Sequence, residues 1–192
     1  MRLGILGGTF DPPHFGHLRM AEAALTQLSL DKVLFAPVGV QPLKQDEPST
    51  APEQRARMVE LAIDGYPHFA LSRIDLDRPG PHYTVDLLAI VQQQYPEAAV
   101  WFIMGEDSLG DLLCWRDPAR ILQIARLAVL RRPGYEPDWP MLDRALPQLR
   151  ARLDWIEHAE IAISASEIRQ RVKTSQPITA FVPTKVIEYV TA

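Results

Sequence analysis

Short apolar runs alternate with stretches of helical spacing along the whole chain. Leu3–Leu6 is a run of strand length that Gly7-Gly8 stops, and from Gly16 the apolar residues Leu18, Ala21, Leu25 and Leu28 recur at helical intervals. The opening therefore reads strand, Gly-rich turn, helix. Lys32–Val38, β-branched and aromatic at its centre, predicts a second strand. Pro52 opens a helix with Met58, Val59, Ala62 and Ile63 on one face, Gly65-Tyr66-Pro67 ends it, and Phe69–Ser72 is a short strand. Tyr83–Tyr95 reads as a helix. Ala98–Met104, the most hydrophobic run, reads as a central strand that ends in Gly105-Glu106-Asp107. Beyond it the pattern predicts short helices over Leu109–Leu113 and Ala119–Ala125, a strand over Leu127–Leu130 and a helix over Asp138–Leu153. One or two strands within Asp154–Ile163, a helix over Ser164–Lys173 and a last helix opened by Pro183 complete the chain.

Such alternation, without repeats or low-complexity segments, predicts an α/β fold: one domain over 1–192 with a doubly wound parallel sheet. Ligands of these sheets lie beyond the strands' carboxyl ends, where the strand order reverses. The Gly7-Gly8 and Gly105–Asp107 turns both close strands and are expected to share one crevice. Gly39–Pro52 is a polar, Pro-rich loop with Lys44 alone among acids and amides, of a length that usually accompanies function.

Composition narrows the partners. The 192 residues carry 20 basic and 24 acidic side chains, net −4, so bulk charge predicts no nucleic-acid binding and any phosphate-binding charge must be local. Cys114 is the only cysteine, which excludes an internal disulfide and a thiolate cluster. No charged leader precedes an apolar stretch and no apolar run approaches the ~18 residues of a spanning helix, so the expectation is a cytoplasmic protein with no membrane partner. Neither heptads nor a conspicuous apolar surface run indicates an oligomer, and the oligomeric state stays open.

The first helix offers chemistry by construction, since a helix N-terminus carries unpaired N–H groups and the positive end of the dipole. His14 and His17 sit at that mouth, three residues apart, able to face the same way. They serve there either as phosphate ligands or as capping and surface residues. A metal is disfavoured, because zinc takes about three or four ligands and His68, His82 and His158 have no helpful spacing. The dinucleotide fingerprint and the P-loop are both absent. Ser164 and Glu167 match a capping box, whereas Arg169, one turn in, is a second anion candidate. Asp107 can cap the helix that follows, Glu106 is expected to face solvent, and Trp101, Trp139, Trp155 and Cys114 read as packing.

Residues 7–17, GGTFDPPHFGH, resemble the nucleotidylyltransferase motif Gly-Gly-[Ser/Thr]-Phe-Asp-Pro-x-His-x-Gly-His. Pro42-Leu43-Lys44, Tyr83-Thr84, Gly105-x-Asp107 with Trp115, Ile163-Ser164-Ala165-Ser166-x-x-Arg169 and Val182-Pro183 extend the resemblance, in order, to the bacterial nicotinate-nucleotide adenylyltransferases. It implies a Rossmann-like sheet and transfer of AMP from ATP, with Mg²⁺, to nicotinate mononucleotide, giving deamido-NAD and pyrophosphate. It also implies an ATP site formed by Gly7, Gly8, Thr9, Phe10, His14, His17, Gly105, Asp107, Ile163, Ser164, Ser166 and Arg169. His14, His17 and Arg169 would be catalytic, with His17 nearest the α-phosphate, His14 toward the β,γ side and Asp107 on the ribose. Lys44, Tyr83, Thr84, Trp115 and Arg116 would hold the acceptor, although relatives often carry an aromatic residue or another base at Arg116, and Trp115 also suits a core position. The Gly39–Ala51 loop would close over the acceptor. Two other readings stay open: a sister activity (pantetheine-phosphate adenylyl or cytidylyl transfer), and a non-catalytic nucleotide-binding module. The intact His14, His17 and Arg169 count against the second. Preference for nicotinate over nicotinamide follows from the resemblance alone.

Overall fold

Hydrophobic alternation within the strands shows how the layers form. In a computed structural model describing residues 1–40, 50–157 and 164–191, six strands make one all-parallel sheet. They are β1 (Arg2–Gly8), β2 (Lys32–Pro37), β3 (Phe69–Leu71), β4 (Ala99–Gly105), β5 (Arg126–Leu130) and β6 (Leu153–Ile156), in the order β3-β2-β1-β4-β5-β6. The helices are α1 (Phe15–Gln27), α2 (Pro52–Ile63), α3 (Thr84–Gln94), α4 (Glu106–Gly110), α5 (Pro118–Ile124), α6 (Trp139–Ala145), α7 (Ala165–Lys173) and α8 (Thr184–Thr191).

Side chains of a strand point alternately to opposite faces. Leu3 and Ile5 of β1 and Val100, Phe102 and Met104 of β4 pack with α3, α5 and α6 on one side. Leu6 of β1 and Trp101 and Ile103 of β4 pack with α1, α2, α7 and α8 on the other. Both faces are thus covered, as the near-continuous apolar runs require. The order reverses between β1 and β4, which pair in parallel from Arg2↔Ala99 to Leu6↔Ile103. A crevice opens beyond their carboxyl ends at that switch point. No helix among the described residues is long and apolar enough to cross a membrane.

Two expectations change. The helix expected over Asp138–Leu153 is only α6, because Pro147 disfavours helical geometry at Leu146, which turns to φ −134°, ψ 73°. A short 3₁₀ turn, Arg150–Arg152, then leads directly into β6. The helix expected at Leu109 begins one turn earlier, at Glu106, with Gly105 in extended N-cap geometry and two acids complementing the dipole in the first turn. Of the strands expected within Asp154–Ile163, β6 lies in the described residues, and 158–163 lie outside them, as do 41–49 of the Gly39–Pro52 loop. At the β6 edge, the Asp154 carboxylate accepts Arg126 Nε at 2.6 Å and Trp101 Nε1 at 2.8 Å, and the Arg126 contact holds it below the usual carboxylate range.

Ile5, fully buried in β1 with β2 and β4 on either side, marks the centre of this packing. Ile5→Ala is expected to lower unfolding free energy by about 3 kcal/mol, read as a shifted urea midpoint with an unchanged slope.

Candidate active site

The turn after β1 sets the geometry. Gly7 and Gly8 keep negative φ, and the left-handed position falls instead on Phe10, at φ 53°. The glycines answer to crowding: a Cβ on Gly7 would lie 3.2 Å from the Phe102 ring, and one on Gly8 3.3 Å from Phe10. A left-handed, non-glycine residue is held only where its surroundings over-determine it. Here Phe10 is buried against Phe35 at 5.8 Å and meets the His17 ring edge-on at 4.9 Å. Phe10, expected on ATP, therefore points into the core and buttresses a histidine.

His14 is the N-cap of α1, and His17 Nδ1 accepts the His14 backbone N–H at 3.2 Å, so the second histidine also caps the helix. The two rings stack at 3.7 Å between centroids. Burial pushes the His14 imidazole down to about 4, and burial together with the neighbouring His14 lowers His17 as well. Both rings are neutral near pH 7 and carry one N–H each. His14 Nδ1 is buried with no hydrogen-bond partner among the described residues, while His17 opens onto the crevice. The α1 mouth is not wholly free, because the Phe15 N–H already donates to the Phe181 carbonyl at 2.8 Å.

Beyond the strand ends lies a cavity of about 400 Å³. Gly7, Gly8, Thr9 and His17 line it on the β1 side, Gly105 and Asp107 at β4, and Tyr83, Thr84, Trp115 and Arg116 at its far end. Asp107 is in the first turn of α4 and meets Arg132 Nη1 at 3.3 Å. Trp115 stands edge-on to Phe102 at 5.8 Å, at once core and wall, and the Arg116 guanidinium lies 4.7 Å over the Tyr83 ring at the α3 N-terminus. Ser164 caps α7 by accepting the Glu167 N–H at 3.1 Å, and Glu167 pairs with Arg171, so only half of a capping box forms. Arg169 donates to the Asp11 carbonyl at 2.8 Å and to Ser166 Oγ at 3.1 Å. It thus rests against the β1–α1 turn. Arg169, Ser164, Ser166 and His14 all stand outside the cavity wall itself. Lys44 and Ile163 lie outside the described residues.

Sequence reasoning missed several residues. Glu106, expected in solvent, is buried and accepts the Arg132 backbone N–H at 2.8 Å, because α4 starts earlier than its pattern suggested. Cys114, expected to pack, is exposed and lines the cavity. Asp75 and His82 are buried in the wall: His82 Nδ1 accepts the Val40 N–H at 2.8 Å, and burial raises the Asp75 carboxyl above its usual range against the Arg78 contact. Arg55 is buried too. Its signal was available, since it falls on the helical face of Met58, Val59 and Ala62.

A parallel sheet with a cavity at its switch point and a His-x-Gly-His turn has recognisable kin. The chain belongs to the cytidylyltransferase-like family, whose profile matches residues 5–171. Within it, a "Probable nicotinate-nucleotide adenylyltransferase" of Thermomicrobium roseum is 46% identical over 189 residues, 98% of this chain and 88% of that protein. Those of Herpetosiphon aurantiacus and Moorella thermoacetica are each 42% identical over 98% of this chain and 95% and 88% of theirs. The chain is thereby a member of the nicotinate-nucleotide adenylyltransferases. The solved Plasmodium falciparum nicotinic acid mononucleotide adenylyltransferase complexed with NaAD shares the fold, with a TM-score of 0.80 at 19% identity over 99% of this chain and 94% of that one.

The buried imidazoles make stability depend on pH. With the folded His14 near 4 against an ordinary 6.5, the unfolded chain takes up the proton first as pH falls. Stability is complete above the ordinary value and is lost by about 3 kcal/mol on the way down to the folded one. The urea midpoint should drop over that window, and His14→Gln should flatten the dependence.

Proposed function

We infer that this chain joins ATP to nicotinate mononucleotide, a step of NAD biosynthesis, and that the cavity described above is where the two nucleotides meet. The carrying observation is that one crevice joins His17, whose ring stacks on that of His14 at a helix mouth, to a separate stacking-and-cation end at Tyr83, Trp115 and Arg116. A phosphate oxygen of the acceptor attacks the α-phosphorus of ATP, and the bond to pyrophosphate breaks. That acceptor is already an anion near pH 7, so neither a protein nucleophile nor a general base is needed. Catalysis is alignment plus stabilisation of charge on the α-phosphate and the departing pyrophosphate.

In this reading His17, open to the crevice, donates to the α-phosphate, and His14 serves the β,γ side. Arg169, with only part of its guanidinium engaged by Asp11 and Ser166, turns the remaining N–H donors toward the triphosphate. Ser164 and Ser166 flank it, and Gly7, Gly8 and Thr9 let the phosphates approach the backbone. Asp107 accepts from the ribose hydroxyls beside Gly105, exchanging its half-exposed contact with Arg132. At the other end Trp115 stacks on the pyridine ring, Tyr83 and Thr84 present the α3 N-terminus, and Arg116 supplies charge for the nicotinate carboxylate. Lys44 is assigned the acceptor's phosphate. Mg²⁺ is assigned to the substrate, as MgATP, where it would neutralise phosphate charge. A cytoplasmic location goes with this reading.

Pyrophosphate release measured with a panel of acceptors tests the reading. Nicotinate mononucleotide with ATP should turn over fastest. Activity confined to pantetheine phosphate, or to CTP as donor, would replace the reading with a sister activity, and equal rates with nicotinamide mononucleotide would remove the carboxylate role. His17→Ala should lower kcat by about a hundredfold, on the order of 3 kcal/mol. An unchanged rate would refute the role given to the imidazole pair.

A further inference from the structure

The apolar face of α2 carries an arginine that no substrate role accounts for. Arg55 is 1% exposed, in register with Met58, Val59 and Ala62. Its guanidinium donates to three carbonyls from three segments: Thr9 at 2.7 Å, Thr50 at 2.9 Å and Gly39 at 3.1 Å. Asp11, buried alongside, accepts the Thr50 N–H at 3.0 Å and attracts the guanidinium. Burying a cation is expensive, and an aliphatic residue of similar length would avoid that cost only by leaving three carbonyls without their donor and Asp11 without the guanidinium. What the charge adds is geometric: a planar fork can fix several carbonyls at once in a way an apolar chain or an ammonium cannot.

Those carbonyls sit where position matters to the chemistry. Thr9 lines the cavity directly after Gly8. Phe10, next along, buttresses His17, and the Asp11 carbonyl receives Arg169. We propose that Arg55 is a positioning residue for adenylyl transfer: by clamping Thr9, Gly39 and Thr50 from beneath, it sets the turn on which His17 and Arg169 are both aligned. Arg55 itself touches neither substrate. The assignment rests on the cavity being the transfer site.

The test compares Arg55→Lys with Arg55→Met, each assayed where circular dichroism shows it folded. A displacement of about 1 Å in such a turn lowers turnover by on the order of a hundredfold. Both variants should therefore lose at least about tenfold in kcat, with KM for ATP and for nicotinate mononucleotide within about threefold of the original. Lysine keeps the buried charge opposite Asp11, so it should regain much of the melting temperature lost by methionine without regaining kcat. Hydrogen exchange should quicken in peptides covering residues 3–13 of Arg55→Lys and remain unchanged in α3. A folded Arg55→Lys with kcat within about twofold of the original, unchanged exchange in that turn, or kcat that simply follows melting temperature across the pair would each overturn the proposal. Where Arg55→Met does not fold, Arg55→Lys carries the test alone. Pyrophosphate release by the unaltered protein in the same run checks the transfer-site reading separately, and exchange reports on the turn whatever the activity.

Discussion

The fold depends on one constraint: β1 and β4 are buried on both faces and paired on both sides, so neighbouring strands take up their backbone polar groups and a ligand can approach only at the strand ends. Every group of chemical interest gathers where that pairing stops. The Gly-Gly turn, the α1 cap and the start of α4 are each solutions to ending a central strand. Each leaves backbone or side-chain donors around one hollow. The site is a consequence of the sheet's order, since only between β1 and β4 do successive crossovers diverge and leave room.

Its electrostatic character differs from that of a basic patch. The net charge is −4, and the imidazoles at the helix mouth are neutral because burial disfavours their charged form. The resting crevice thus carries fixed dipoles more than fixed charge, with guanidinium groups held at its margins by carbonyls and carboxylates. Incoming phosphates meet donors that are already oriented, which is the condition under which electrostatic stabilisation is most effective.

Local patterns made much of this legible. The strand–turn–helix opening, the central strand ending at Gly105 and the paired histidines follow from apolar periodicity and spacing. So does the shared hollow between the β1 and β4 turns. What stayed hidden depends on contacts between distant segments. Nothing near Phe10 says that it, and not Gly7 or Gly8, takes the left-handed backbone position; that is decided by packing against Phe35 and His17. Glu106 was misplaced because the start of α4 is set by the end of β4 and not by its own apolar residues. Arg55 is the instructive case: its place on an apolar helical face signalled burial, but Thr9 and Gly39, two of its three partners, come from elsewhere in the chain.

The outer strands have a consequence for how the molecule meets its copies. β3 is three residues long and β6 four, and β6 carries Asp154, bound inward to Arg126 and Trp101. An incoming chain would find too short a ladder to extend and a charged side chain within it, the means by which sheets resist edge-to-edge aggregation. The sheet that builds the crevice in its middle is therefore blunted at both margins.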